Sequence, residues 1–102
     1  MDDDKPEVIT TANGLSVSGN LLYSNVSSVI AKGIKQLESH NADSIVIDLS
    51  QVNKIDSAGI TLFLAWRRLC EAKGKSFKIN ASQEQPRSLI TTNKMHLILN
   101  IC

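Results

Sequence analysis

The sequence predicts an α/β fold: a small mixed sheet with helices packed mainly on one face. Three observations carry that expectation. Two short strand-like segments meet at an Asn13-Gly14 pair, the apolar run Ile45-Val46-Ile47 with Leu49 reads as a central strand, and segments of helical period alternate with strands thereafter. A hairpin followed by helix, strand, helix, strand and helix closes into one layered sheet without crossed connections.

Residues 7–12 read as the first strand, and Asn13-Gly14 supplies the positive φ angles of a tight hairpin turn. Beyond it Leu15, Val17, Gly19 and Leu21 alternate with Ser16, Ser18 and Asn20, the period of a strand with one buried face. Ser24 or Asn25 caps the first helix, where Val26, Val29, Ile30, Gly33, Ile34 and Leu37 form a stripe for the core. The third strand lacks alternation apart from Asp48, as expected where both faces are covered. After a turn at residues 51–54, a second helix spans about 57–73 and stops at Gly74. Phe77, Ile79 and Ala81 mark a fourth strand, and Pro86 stands where the first turn of a third helix tolerates it. Leu89, Ile90 and Met95 then face inward, and the apolar segment 96–102 packs on the domain or adds an edge strand.

Residues 7–102 are expected to form a single domain, because a chain of 102 residues builds one core. Residues 1–6, with the run Asp2-Asp3-Asp4-Lys5, resemble a frayed terminus or the remnant of a cleavable tag and are set apart from function. The formal net charge of +1 supplies no field for nucleic acid. No segment approaches the ~20 apolar residues of a membrane span, so no direct membrane insertion is expected. Cys70 and Cys102 make no metal-binding or redox pair, which fits a reducing, cytoplasmic setting. His40 and His96 lack metal spacing, and the five glycines are too dispersed to cradle a nucleotide. The expectation is therefore a protein that is not an enzyme, with no cofactor and no metal.

The informative stretch is Asp56-Ser57-Ala58-Gly59, which places small and polar residues where a central strand gives way to a helix. First-turn N–H groups lack intrahelical partners and carry the positive end of the helix dipole, so a phosphate on Ser57 or a partner's carboxylate is stabilised there. The plain alternative is that Asp56 or Ser57 caps the helix and Gly59 permits close packing. Helical spacing puts Ala58, Leu62, Ala65, Leu69 and Ala72 on the core side with Trp66 at the margin. The opposite side then presents Ser57, Ile60, Leu64 and either Arg67 or Arg68, with Phe63 at the boundary. An aliphatic stripe rimmed by arginine and aligned with a polar helix start is the composition of a protein interface.

The residues Val46-Ile47-Asp48-Leu49-Ser50, Val52 and Ile55-Asp56-Ser57-Ala58-Gly59, with a long helix ending at Gly74, resemble the signature of the STAS domain family. The resemblance implies a STAS-like mixed sheet and a partner-binding surface at Asp56, Ser57, Ala58, Gly59, Ile60, Phe63, Leu64, Arg67 and Arg68. Within the family two roles compete. In the Mla-type branch, a cytoplasmic STAS subunit, peripheral to the inner membrane, binds and supports the ATPase of an ABC transporter moving phospholipids between bacterial membranes. In the anti-sigma-factor antagonists, an anti-sigma kinase is the partner and the serine matching Ser57 is the phosphoacceptor. Gly19-Asn20-Leu21-Leu22 lacks the carboxylates antagonists usually carry there, and Ile60 to Arg68, with Trp66, is similar to the Mla-type helix, so the transporter role is the expectation.

Overall fold

The computed structural model describes residues 6–92. The expectations for residues 1–5, for Met95 and for the apolar segment 96–102 with its His96 and Cys102 lie outside those residues. The described chain runs β1 (Glu7–Thr11), β2 (Gly14–Ser18), α1 (Val26–Glu38), β3 (Ser44–Gln51), α2 (Ser57–Ala72), β4 (Ser76–Asn80) and α3 (Glu84–Thr92). The sheet order is β1-β2-β3-β4, antiparallel between β1 and β2 and parallel across the other two pairs. Two successive crossovers run in one direction across the sheet, and under the right-handed rule for such connections they bring α1 and α2 to the same face, where the two helices pack together. The mixed sheet with helices on one face is the α/β architecture that the alternation of elements predicts.

The hairpin turn falls one residue earlier than the Asn13-Gly14 pair suggests. Thr11 pairs with Gly14, so Ala12 and Asn13 make the turn and Gly14 opens β2. Glycine is required there for a different reason: a Cβ on Gly14 would lie 2.0 Å from the carbonyl oxygen of Val46 on the neighbouring strand. β2 then ends at Ser18, sooner than its alternation implies, because its pairing with β3 shifts register between Ser16 and Ser18. Leu21 remains buried and resumes the pairing as a single parallel bridge to Ile55.

β3 corrects a second expectation. Ile45, Ile47 and Leu49 are buried, whereas Val46, Asp48 and Ser50 are only half-buried, so the strand has one core face and not two. The buried side of β3 packs with Val29 and Leu37 of α1 and Leu62 and Trp66 of α2, and the other face carries the polar side chains of a half-solvated sheet. Asp48 is the simplest mark of this, since its carboxylate accepts from the Ser50 N–H within its own strand.

The core joins Leu15, Val17, Ile47 and Leu49 to Val29 and Leu37 of α1 and to Leu62, Phe63 and Trp66 of α2. Trp66 is fully buried; its ring lies tilted at 60° to Phe63 with centroids 6.3 Å apart, and its indole N–H donates to the Ile30 carbonyl at 3.2 Å. α1 accommodates the indole with Gly33, where an added Cβ would sit 2.1 Å from Trp66 Cζ2. A glycine at this point therefore lets the two helices approach closely over the indole. His40 is half-buried and structural: its Nδ1 accepts from the Ala42 N–H, so Nε2 carries the proton donated to the Thr11 carbonyl at 2.9 Å.

Candidate functional site

α2 begins where two chain segments are laced together. Leu21 N–H donates to the Lys54 carbonyl, and Asp56 N–H donates back to the Leu21 carbonyl, on either side of the Leu21–Ile55 bridge. Asp56 is the cap that the sequence offers, with Oδ1 accepting from Ala58 N–H at 2.9 Å. Its second oxygen accepts from the Tyr23 N–H, also at 2.9 Å. A single carboxylate therefore ties the start of α2 to the segment leading into α1. Asn25, at the cap position of α1, turns its amide backwards instead: it accepts from Leu22 N–H and donates to the Asn20 carbonyl.

Between the two helix starts lies an open groove of about 630 Å³, walled by Tyr23, Ser24, Val26, Ser27 and Ile30 on one side and by Ser57, Ala58 and Thr61 on the other. Tyr23 stands at its lip with 85% of its surface exposed. No wall residue is a carboxylate, a histidine, a lysine, an arginine or a thiol. Ser57 is exposed and its hydroxyl has no hydrogen-bond partner among the described residues, while Thr61 Oγ1 donates to the Ser57 carbonyl. The groove suits a neutral, partly apolar contact and offers no general base to activate the serine.

The helix presents a different face from the one its spacing implied. Gly59, Ile60, Leu62, Phe63, Trp66 and Cys70 are buried, so the core stripe is rotated away from Ala58, Ala65 and Ala72, and Trp66 is its centre, not its margin. Ile60 is 7% exposed and Phe63 fully buried, which removes both side chains from any docking surface. Gly59 packs under Ile55 and the Leu21 carbonyl. The physical reason is size: burying tryptophan and phenylalanine removes several times the apolar area that burying alanines would. Of the expected surface, Ser57 and Arg68 are exposed, and Asp56, Ala58 and Leu64 are half-buried, Leu64 resting against the core edge. Arg67 is drawn aside by an ion pair with Glu71 at 2.9 Å, so Arg68 is the arginine that extends the ridge of Ser57, Thr61 and Leu64.

Sequence reasoning missed Tyr23, Ser24, Ser27, Ile30 and Thr61. An isolated tyrosine ahead of a helix cap was the one available signal, since the pairing that brings it beside Ser57 depends on the distant Ile55. Among the described residues no group of histidine, cysteine, aspartate or glutamate could hold a metal ion, and no helix is long and apolar enough to cross a membrane.

A family model described as Mlab, STAS domain, matches residues 10–98. The fold is similar to that of the anti-sigma factor antagonist SpoIIAA in its unphosphorylated form, with a TM-score of 0.73 and 16% identity, covering 95% of this chain and 87% of that one. No curated protein is significantly similar to the chain.

Proposed function

The chain belongs to the Mlab-type STAS domain family, and on that premise we propose that it is a non-catalytic subunit that binds and supports the ATPase of an ABC transporter. The transporter moves phospholipids between bacterial membranes, and the domain sits on the cytoplasmic side, peripheral to the inner membrane through its partner. The observation that carries this reading is the ridge of Ser57, Thr61, Leu64 and Arg68 beside a groove whose walls bear no charged side chain, with Tyr23 at its lip. An exposed aromatic next to a preformed groove and an arginine at the rim have the composition of a hot spot, and laced backbone lets the surface dock without reordering.

A second reading is supported by one feature. Ser57 offers a free hydroxyl at a helix start, as a phosphoacceptor switched by an anti-sigma kinase would. The surroundings weigh against it. Ala58 N–H is already taken by the Asp56 carboxylate and Gly59 N–H by the Asp56 carbonyl. A phosphate on Ser57 would meet a neighbouring carboxylate with few open donors left to receive it.

Capture of the tagged domain from its native host, followed by mass spectrometry, separates the two. Recovery of an ABC ATPase with its permease supports the transporter role. Recovery of a small kinase together with phosphate on Ser57 would overturn it.

A further inference from the structure

Ile55, the residue before the Asp56 cap, has its backbone held from two sides. One side is the bridge to Leu21. The other is a side chain: Ile55 N–H donates to Gln85 Oε1 at 2.8 Å, and Gln85 Nε2 donates to the Ile55 carbonyl at 3.1 Å. A carboxamide is the one neutral side-chain group that can both accept and donate in this paired way, so Gln85 acts as a one-residue strand against Ile55. The brace is continued by Gln83, whose Nε2 donates to the Ser50 carbonyl at the end of β3. Ile55 itself is 2% exposed, so its polar backbone groups depend on such partners.

We propose that Gln85 is the positioning residue of the docking loop: its carboxamide pairs both ways with the Ile55 backbone and thereby sets where Asp56 presents Ser57 and Tyr23. Three links make the chain. Gln85 fixes the two peptide planes that flank Ile55, the second of them leads into Asp56, and the Asp56 carboxylate holds Ala58 and Tyr23. α3 thus acts on the groove through Ile55 and Asp56 while Gln85 itself is not one of the groove walls, the arrangement by which supporting residues hold a site in its productive geometry. Its effect on binding rests on the transporter reading given above, whereas its effect on the loop does not.

The test compares the wild-type domain with Gln85→Met, which keeps side-chain length and helix propensity but cannot pair, and with Ser88→Ala as an α3 control. Amide exchange and amide chemical shifts are read on the isolated domain, and affinity is read against the purified ATPase subunit. In Gln85→Met, exchange at Ile55 is expected to accelerate about fivefold or more beyond any common acceleration shared by the core amides of Ile47 and Leu62. The amide signals of Ser57 to Gly59 shift, and affinity for the ATPase falls about fivefold. Ser88→Ala changes none of these. Unchanged exchange at Ile55 would refute the pairing, and faster exchange with unmoved Ser57 signals would reduce Gln85 to a staple for α3. If the wild-type domain does not bind the ATPase, the transporter reading fails, and the Ser57 signals alone decide the role of Gln85.

Discussion

Aspartate substitution at the neighbouring residues Ile60 and Thr61 separates the core of α2 from its docking ridge. Ile60 is 7% exposed, so Ile60→Asp forfeits most of the burial of an isoleucine side chain, about 1.5–3 kcal/mol. It also places a carboxylate without a partner in apolar surroundings, which costs about 2 kcal/mol more even after the group takes up a proton. A loss of about 4 kcal/mol consumes much of the roughly 5–15 kcal/mol that holds a domain of this size, and at about 4–8 °C per kcal/mol it lowers the melting midpoint by more than about 15 °C. Thr61 is exposed, and Thr61→Asp surrenders only its 3.2 Å bond to the Ser57 carbonyl, so its midpoint moves by less than about 4 °C. In binding the order reverses in kind. A carboxylate added to the groove wall must be desolvated by the partner, and affinity for the ATPase subunit falls about tenfold or more with the fold intact. Circular dichroism melts and titration calorimetry read the two effects separately. An Ile60→Asp variant that melts like the wild type would refute the burial of this helix face, and a collapsed Thr61→Asp variant would do the same from the other side.

Three further outcomes follow from the packing. Gly33→Ala should destabilise by about 1–3 kcal/mol despite the helix-propensity gain of about 1 kcal/mol, because the new methyl overlaps the Trp66 ring; a denaturant midpoint at or above wild type would count against that contact. Asp56→Asn retains one acceptor for two N–H groups, so it should release either Ala58 or Tyr23 and cost about 1 kcal/mol, with faster amide exchange at one of the two as the check. Burial raises the Cys70 thiol above its ordinary range, partly offset by Lys75, so in a Cys102→Ser background it should resist thiol reagents until the domain unfolds. The sign for stability is that folding disfavours the thiolate. The contribution is fully kept below the unfolded thiol's pKa and is lost as pH rises towards the folded one, so alkaline melts should recover part of the loss in Cys70→Ala.

Periodicity was enough to place α1, β3 and β4, because each carries a stripe that water would otherwise wet, whereas β1 buries no residue fully and was legible from the turn beside it. Periodicity failed on α2 because apolar residues occupy nearly its whole circumference: Ile60, Leu62, Phe63, Leu64, Trp66 and Leu69 leave several faces similar in spacing. Weighting by size would have chosen correctly, since Phe63 and Trp66 sit on the side that is buried. β3 misled for a related reason, as Val46 continues an apolar run while facing the half-solvated side. The serine at the helix start was legible from local chemistry alone. Its neighbours Tyr23 and Ile30 were not, because no local rule reveals that Leu21 will cross to Ile55, nor that one carboxylate will then bond to both segments.

Trp66, wedged beneath Gly33, is the chain's single tryptophan. It therefore serves as a built-in optical probe of one distance, the gap between α1 and α2. Its emission should be that of an indole shielded from water and should stay blue when a partner settles on the outer ridge. A red shift on binding would report that the partner pries the two helices apart, so the natural fluorescence of this domain distinguishes docking from opening without any label.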